Sequence, residues 1–214
     1  MAATATDTTT ASQVPNLMFS HMGFACSDIV KMEDFYTRVL GFTVTDRGEV
    51  LGMNLVFLSR DPIDHHQLIL VSGRPDNLPP NPYHPQFGPV INQISFRVDG
   101  LTSLRGLLGT LEAEQIQSIM VANHGIAWSI YCHDPDGNNL EFFVDTSWYF
   151  PQPFLVPLDL TQSDAAIHDL TLAMCASQPG FEPYADWRKR LGARMHRYIA
   201  SPAPTTTPTT TTTA

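Results

Sequence analysis

The sequence predicts an α+β fold of two βαβββ modules followed by a helical extension. Three observations carry this prediction: a strand–helix–three-strand pattern that occurs twice, an aperiodic Pro-rich stretch between the copies (Arg74 to Gly88), and a strong hairpin turn at Asp134-Pro135-Asp136-Gly137.

In the first copy, Phe19 to Cys26 reads as a short apolar strand. Asp28 then caps a segment whose apolar residues Ile29, Met32, Phe35, Tyr36 and Leu40 recur at helical intervals up to Gly41. Three strands follow at Thr43–Val50, Met53–Leu58 and His66–Val71, broken by Gly52 and by Asp61-Pro62. The second copy starts with a strand at Val90–Val98. Asp99 and Gly100 open a helix through Leu101, Leu104, Leu107, Leu108 and Leu111, and strands are expected near Gln117–Val121, Ala127–His133 and Asn139–Val144. Two modules of this kind suggest packing about a pseudo-twofold axis. Beyond Asp145 comes the aromatic and Pro-rich run Trp148 to Phe154, then helices over about Ser163–Ala176 and Tyr184–Tyr198 around Pro179-Gly180. This extension reads as a cover on the sheet or on a second subunit, with closure over a substrate as the alternative.

The expected organisation is a disordered tail over 1–15, a two-module domain over 16–146 (modules about 17–73 and 89–146), the aromatic stretch and two helices over 147–199, and a disordered Thr/Pro tail over 200–214. Low apolar content in both tails cannot offset chain entropy. A formal charge of −9 argues against a nucleic-acid partner and for a small molecule. Cys26, Cys132 and Cys175 have no spacing that suggests a disulfide framework or a zinc site, so they read as reduced core residues of a cytoplasmic protein. Neither an export signal nor a membrane span is expected.

Several pieces resemble the vicinal-oxygen-chelate superfamily, which includes glyoxalase I, bleomycin-resistance proteins and type I extradiol ring-cleaving dioxygenases. They are His21-Met-Gly-Phe-Ala-Cys-Ser-Asp28, Phe35-Tyr36, Val39-Leu40-Gly41-Phe42, Gln93-Ile-Ser-Phe-Arg-Val-Asp99 and Tyr131-Cys-His-Asp-Pro-Asp-Gly-Asn-Asn-Leu-Glu141. The resemblance runs from about Phe19 to Asp145 and is nearest to single-domain extradiol-dioxygenase-like members. It implies an open half-barrel cleft with a metal held by His21, Gln93 and Glu141. Glu141, in a strand reading Leu-Glu-Phe-Phe-Val, would be costly to bury without a cation. Gln93 departs from the family, since extradiol enzymes usually carry His there; it is either a weaker carbonyl ligand or an amide satisfied by neighbours.

The resemblance further makes His66 an acid–base residue, with His65 expected to point away by strand alternation. It puts Tyr131, ten positions before Glu141, in hydrogen-bond reach of a substrate oxygen, and it offers His124 as a further active-site imidazole. His84 and His133 read as ordinary surface residues, and Arg97 as a paired structural arginine or a contact for an anionic substrate. Three functions stay open. The first is a dioxygenase for catecholic substrates, using O2 and a divalent metal, iron(II) first, with manganese, nickel or zinc as alternatives. The second is a non-oxidative glyoxalase-like lyase or isomerase, with His66 as a fourth ligand. The third is a resistance-type binding protein. By analogy with the family, a homodimer is expected.

Overall fold

The computed structural model describes residues 18–75, 91 and 93–195. The expected linker from Asp76 onward, both expected tails and the stretch after Met195 assigned to the last helix therefore lie outside the described residues. The chain is an α+β fold with two open mixed sheets. The first module comprises β1 (Met22–Cys26), α1 (Ile29–Asp34), β2 (Thr43–Val50), β3 (Met53–Ser59) and β4 (Leu68–Ser72). Its sheet runs β1-β4-β3-β2, with β1 parallel to β4. The second comprises β5 (Ile94–Arg97), α2 (Leu101–Ala113), β6 (Met120–Asn123), β7 (Ala127–His133) and β8 (Asn139–Asp145). It repeats the arrangement, with β5 parallel to β8 and a short strand β10 (Val156–Pro157) added outside β6. The other elements are β9 (Trp148–Tyr149), which pairs with β11 (Glu182–Pro183), α3 (Asp164–Ala176) and α4 (Tyr184–Arg194).

Local chemistry accounts for the boundaries. The Asp28 carboxylate accepts from the amides of Val30 and Lys31 at 3.1 Å and starts α1. The helix then widens into a π-turn over Phe35–Val39 before Gly41 takes the left-handed φ of +69° that ends it. The strand expected at Gln117–Val121 instead begins at Met120, because Gln115 and Ser118 hold φ of +56° and +60°, which no ladder accommodates. The strand expected to begin at His66 begins at Leu68, so His66 sits in the preceding turn. In β2 the pairing with β3 slips between Val44 and Asp46, leaving Thr45 as an extra, bulged residue.

One core spans both modules. Phe42 meets Phe96 edge-on at 5.9 Å, and Phe96 stacks on Phe142 at 5.4 Å. Phe42 and Phe142 are buried, which contributes about 1.5–3 kcal/mol each, and Phe96 is half-buried between them. The Asp134–Gly137 turn adds a polar connection between modules. Asp134 accepts from Tyr36 at 3.1 Å, while Asp136 accepts from the backbone amide of Ser27 at 2.8 Å and from its hydroxyl, and pairs with Arg74 at 3.4 Å. Asp136 and Arg74 are nearly enclosed, with side-chain exposures of 3% and 9%. The extension lies on the second module: Asn123 and Trp128 donate to the Thr171 hydroxyl at 2.8 and 2.9 Å, and Arg105 bonds the Leu160 and Gln162 carbonyls. The three cysteines are free and buried. No helix among the described residues is long and apolar enough to cross a membrane.

Candidate active site

Side-chain alternation splits the second sheet into two chemically different faces. Ile94, Phe96, Trp128, Ile130, Cys132, Leu140 and Phe142 alternate onto the apolar face and enter the core. The residues between them turn the other way. In register, Ser95 lies opposite Glu141 on the parallel pair and Tyr131 opposite Glu141 on the antiparallel pair. Directly opposed residues share a face, so three polar side chains meet there.

Glu141 is only 9% exposed, and both of its oxygens are occupied. Oε1 accepts from Ser129 at 2.8 Å and Tyr131 at 2.6 Å; Oε2 accepts from Ser95 at 2.7 Å and the Gln93 amide at 2.5 Å. Four donors match the four lone-pair positions of a carboxylate, which is how a buried charge is tolerated without a cation. Burial, then the bond to Glu141 and its charge, push the Tyr131 phenol well above its ordinary value, so it stays protonated as a donor.

His124 follows β6, with Nδ1 at 2.7 Å from the Phe154 carbonyl and Nε2 at 2.9 Å from the Tyr131 hydroxyl. A carbonyl only accepts, so Nδ1 carries the proton. The single phenolic proton of Tyr131 is then shared between His124 and Glu141. The next residue, Gly125, has φ +77°, and an added Cβ would lie 2.2 Å from the Phe150 ring. The strap from Phe150 to Phe154 can therefore press against this turn only because there is no side chain there.

In the first module, His21 and Gln93 hold equivalent posts, each one residue ahead of the strand that pairs in parallel with its module's last strand. The His21 ring lies edge-on to His66 with centroids 4.3 Å apart, and its Nδ1 is 3.1 Å from the Ser20 hydroxyl. Partial burial and the neighbouring His21 and His65 imidazoles hold His66 below its ordinary value, which Asp64 partly opposes. His65 does not point away. Its Nδ1 lies 2.9 Å from His66 Nδ1 and its Nε2 2.7 Å from Asp46, since neither histidine belongs to β4 and strand alternation does not govern them.

The candidate residues thus form two groups, His21 with His66 and Gln93 with Glu141, Tyr131 and His124. Among the described residues no cluster of three or more His, Cys, Asp or Glu is arranged to hold a metal. The donor types nevertheless suit a divalent ion: one imidazole, one carboxylate and, with the Gln93 amide turned to present its oxygen and release Glu141 Oε2, one carbonyl. A cavity of about 1100 Å³ reaches Gln93 and Ser95 from between the modules, past Phe19, Met22, Arg60 and Phe96. Arg97 is a paired arginine, 3.2 Å from Asp145 and stacked on Phe143.

Residues 18–142, more than half of the chain, match the family described as the glyoxalase/bleomycin resistance protein/dioxygenase superfamily. The chain belongs to this superfamily. A curated superfamily relative, biphenyl-2,3-diol 1,2-dioxygenase 2 from Rhodococcus globerulus, is 30% identical over 128 residues, 59% of this chain and 62% of the relative, so less than two thirds of that protein is matched. The superfamily fold recurs in a solved glyoxylase/bleomycin resistance protein/dioxygenase domain from Frankia sp. EAN1pec, at a TM-score of 0.51 and 18% identity, covering 63% of this chain and 94% of that one. A genomically encoded fosfomycin resistance protein from Listeria monocytogenes aligns at a TM-score of 0.46 and 16% identity, covering 63% of this chain and 94% of that one.

The site residues that sequence reasoning missed include Ser95, Ser129 and Phe154. Ser129 leaves a signal, a hydroxyl two residues from Tyr131 in an otherwise apolar strand. The Phe154 carbonyl leaves none.

Proposed function

We propose that this chain is a metal-dependent, extradiol-type ring-cleaving dioxygenase acting on a catecholic or related small aromatic molecule. The observation that carries the reading is the series His124, Tyr131, Glu141 on the polar face of one sheet, with contacts of 2.9 and 2.6 Å. Its similarity to a biphenyl-2,3-diol dioxygenase supports the same chemistry. His21, Gln93 and Glu141 would hold the ion, iron(II) by the reaction class; when bound it supplies a Lewis-acidic centre for two vicinal oxygens and the electrons that activate O2.

The protein's own groups do the rest. Tyr131, kept protonated, would donate a hydrogen bond to a substrate oxygen from its place beside Glu141. His124, oriented by the Phe154 carbonyl, would accept from the Tyr131 hydroxyl at Nε2 and hold the phenol in place. His66, neutral near pH 7, accepts a proton from an incoming diol.

Anaerobic reconstitution with iron(II), followed by oxygen-uptake assays over a panel of diols, tests the reading. Uptake with appearance of a yellow ring-opened product is expected, and Tyr131→Phe should keep its metal and lose about 10²-fold or more in turnover. No uptake with any diol defeats the reading. The 4.3 Å contact between His21 and His66 favours one alternative, a glyoxalase-like lyase or isomerase in which His66 is a fourth ligand. Activity with nickel or zinc that is indifferent to oxygen selects it.

A further inference from the structure

Thr45 is an extra residue in its ladder, because Val44 pairs with Leu58 and the next pair is Asp46 with Phe57. A regular ladder would set Thr45 against Phe57 and Asp46 against Val56, which is 4% exposed and faces the core. The bulge therefore turns Asp46 onto the face that carries Phe57. It also puts Arg47 opposite Val56, on the side where Arg47 pairs with Glu33 of α1. Re-aiming a side chain beside a functional site is a common use of a bulge.

What Asp46 meets on that face is a chain of imidazoles. The Phe57 ring lies against both His65 and His66, with centroids 5.7 and 5.2 Å away. Asp46 Oδ2 is 2.7 Å from His65 Nε2, and His65 Nδ1 is 2.9 Å from His66 Nδ1. An ionised carboxylate only accepts, so Nε2 of His65 carries the proton and its Nδ1, in the neutral ring, is a bare acceptor. The proton between the two Nδ1 atoms then belongs to His66. Its Nε2 keeps a lone pair with no hydrogen-bond partner among the described residues.

We infer that Asp46 and His65 are positioning residues that hold His66 as the Nδ1–H tautomer, leaving Nε2 free for a metal ion or a substrate proton beside His21. One ring nitrogen's state is set by the bond the other makes, and outer partners of this kind orient functional histidines generally. The use made of Nε2 rests on the proposed function; the tautomer does not. Asp46 and His65 are both more than half exposed, so removing either should leave the fold intact.

Two-bond 1H–15N spectra of the histidine side chains test this on the metal-free full chain, under alkaline conditions where the imidazoles are neutral, with His66 assigned by its loss in His66→Gln. Wild type is expected to show His66 as Nδ1–H alone. Asp46→Ala and His65→Ala should convert it to a mixture or to Nε2–H, while Asp46→Asn, which keeps a carbonyl acceptor, should retain the wild-type pattern. An Nε2–H form in wild type, or no change in His65→Ala at an unaltered melting temperature, overturns the inference. Oxygen uptake is scored separately: the tautomer pattern without uptake defeats the dioxygenase reading alone, and uptake without the pattern defeats the positioning role alone.

Discussion

In the first module Gly23 lies opposite Ile69, and in the second Ser95 lies opposite Glu141, although both pairs occupy the same step of a parallel ladder. One ahead of those strands stand His21 and Gln93. The repeat thus supplies the same backbone geometry twice and loads it differently. The second module embeds a carboxylate among donors fixed by strand register. The first offers imidazoles from segments outside its strands, where Ser20, Phe57 and His65 rather than a ladder set their orientation. A site assembled this way has one rigid half and one adjustable half.

The largest effect should come from separating the halves. Asp136→Ala leaves Arg74 nearly enclosed without its carboxylate and removes the acceptor for Ser27, which should cost about 3 kcal/mol or more. At this chain length that is a fall of about 6–12 °C in melting temperature, read by calorimetry. Next in size, Glu141→Ala should weaken manganese(II) or iron(II) binding by more than the about 100-fold that loss of an outer partner costs, whereas Ile69→Ala at the matching post should leave titrated affinity unchanged. Equal losses in both would break the comparison. Gln93→His should strengthen that affinity about tenfold, roughly 1.4 kcal/mol, and Gln93→Ala should weaken it by a similar factor.

The smallest effect is on pH dependence. Burial raises Asp134 above its ordinary 3.8, more than the opposing bonds from Asn138, Tyr36 and Asp136 lower it. A folded-state value above the unfolded one means that this group's contribution is fully present below 3.8 and is lost as pH rises through the folded value. Relative to Asp134→Asn, wild type should therefore gain stability as pH falls from neutral toward 3.8. Paired thermal melts across that range check the sign.

How much of this was legible depends on the range of the interaction. Thr43–Val50 and Ala127–His133 have the predicted bounds because glycines and turns fix their ends locally. Glu141 and Tyr131 were singled out by the resemblance that the motif around the Asp134–Gly137 turn carries, and the antiparallel register sets them opposite each other. His65 was misjudged because alternation was carried ahead of the strand that obeys it, which begins only at Leu68. The second role of the Asp134–Gly137 turn was hidden, since Ser27 and Arg74 lie 109 and 62 positions from Asp136. Nothing in residues 18–75 announces that the turn of a distant hairpin docks there.

The strap has a practical consequence for anyone reducing this protein to its two modules. Cutting after the second module would preserve His21, His66, Gln93, Tyr131 and Glu141, and would appear to keep the whole reactive inventory. It would also delete the Phe154 carbonyl, the one group that decides which nitrogen of His124 is protonated, and the Phe150 ring packed beneath Gly125. The shortened chain would own every expected side chain and lack the instruction that orients one of them.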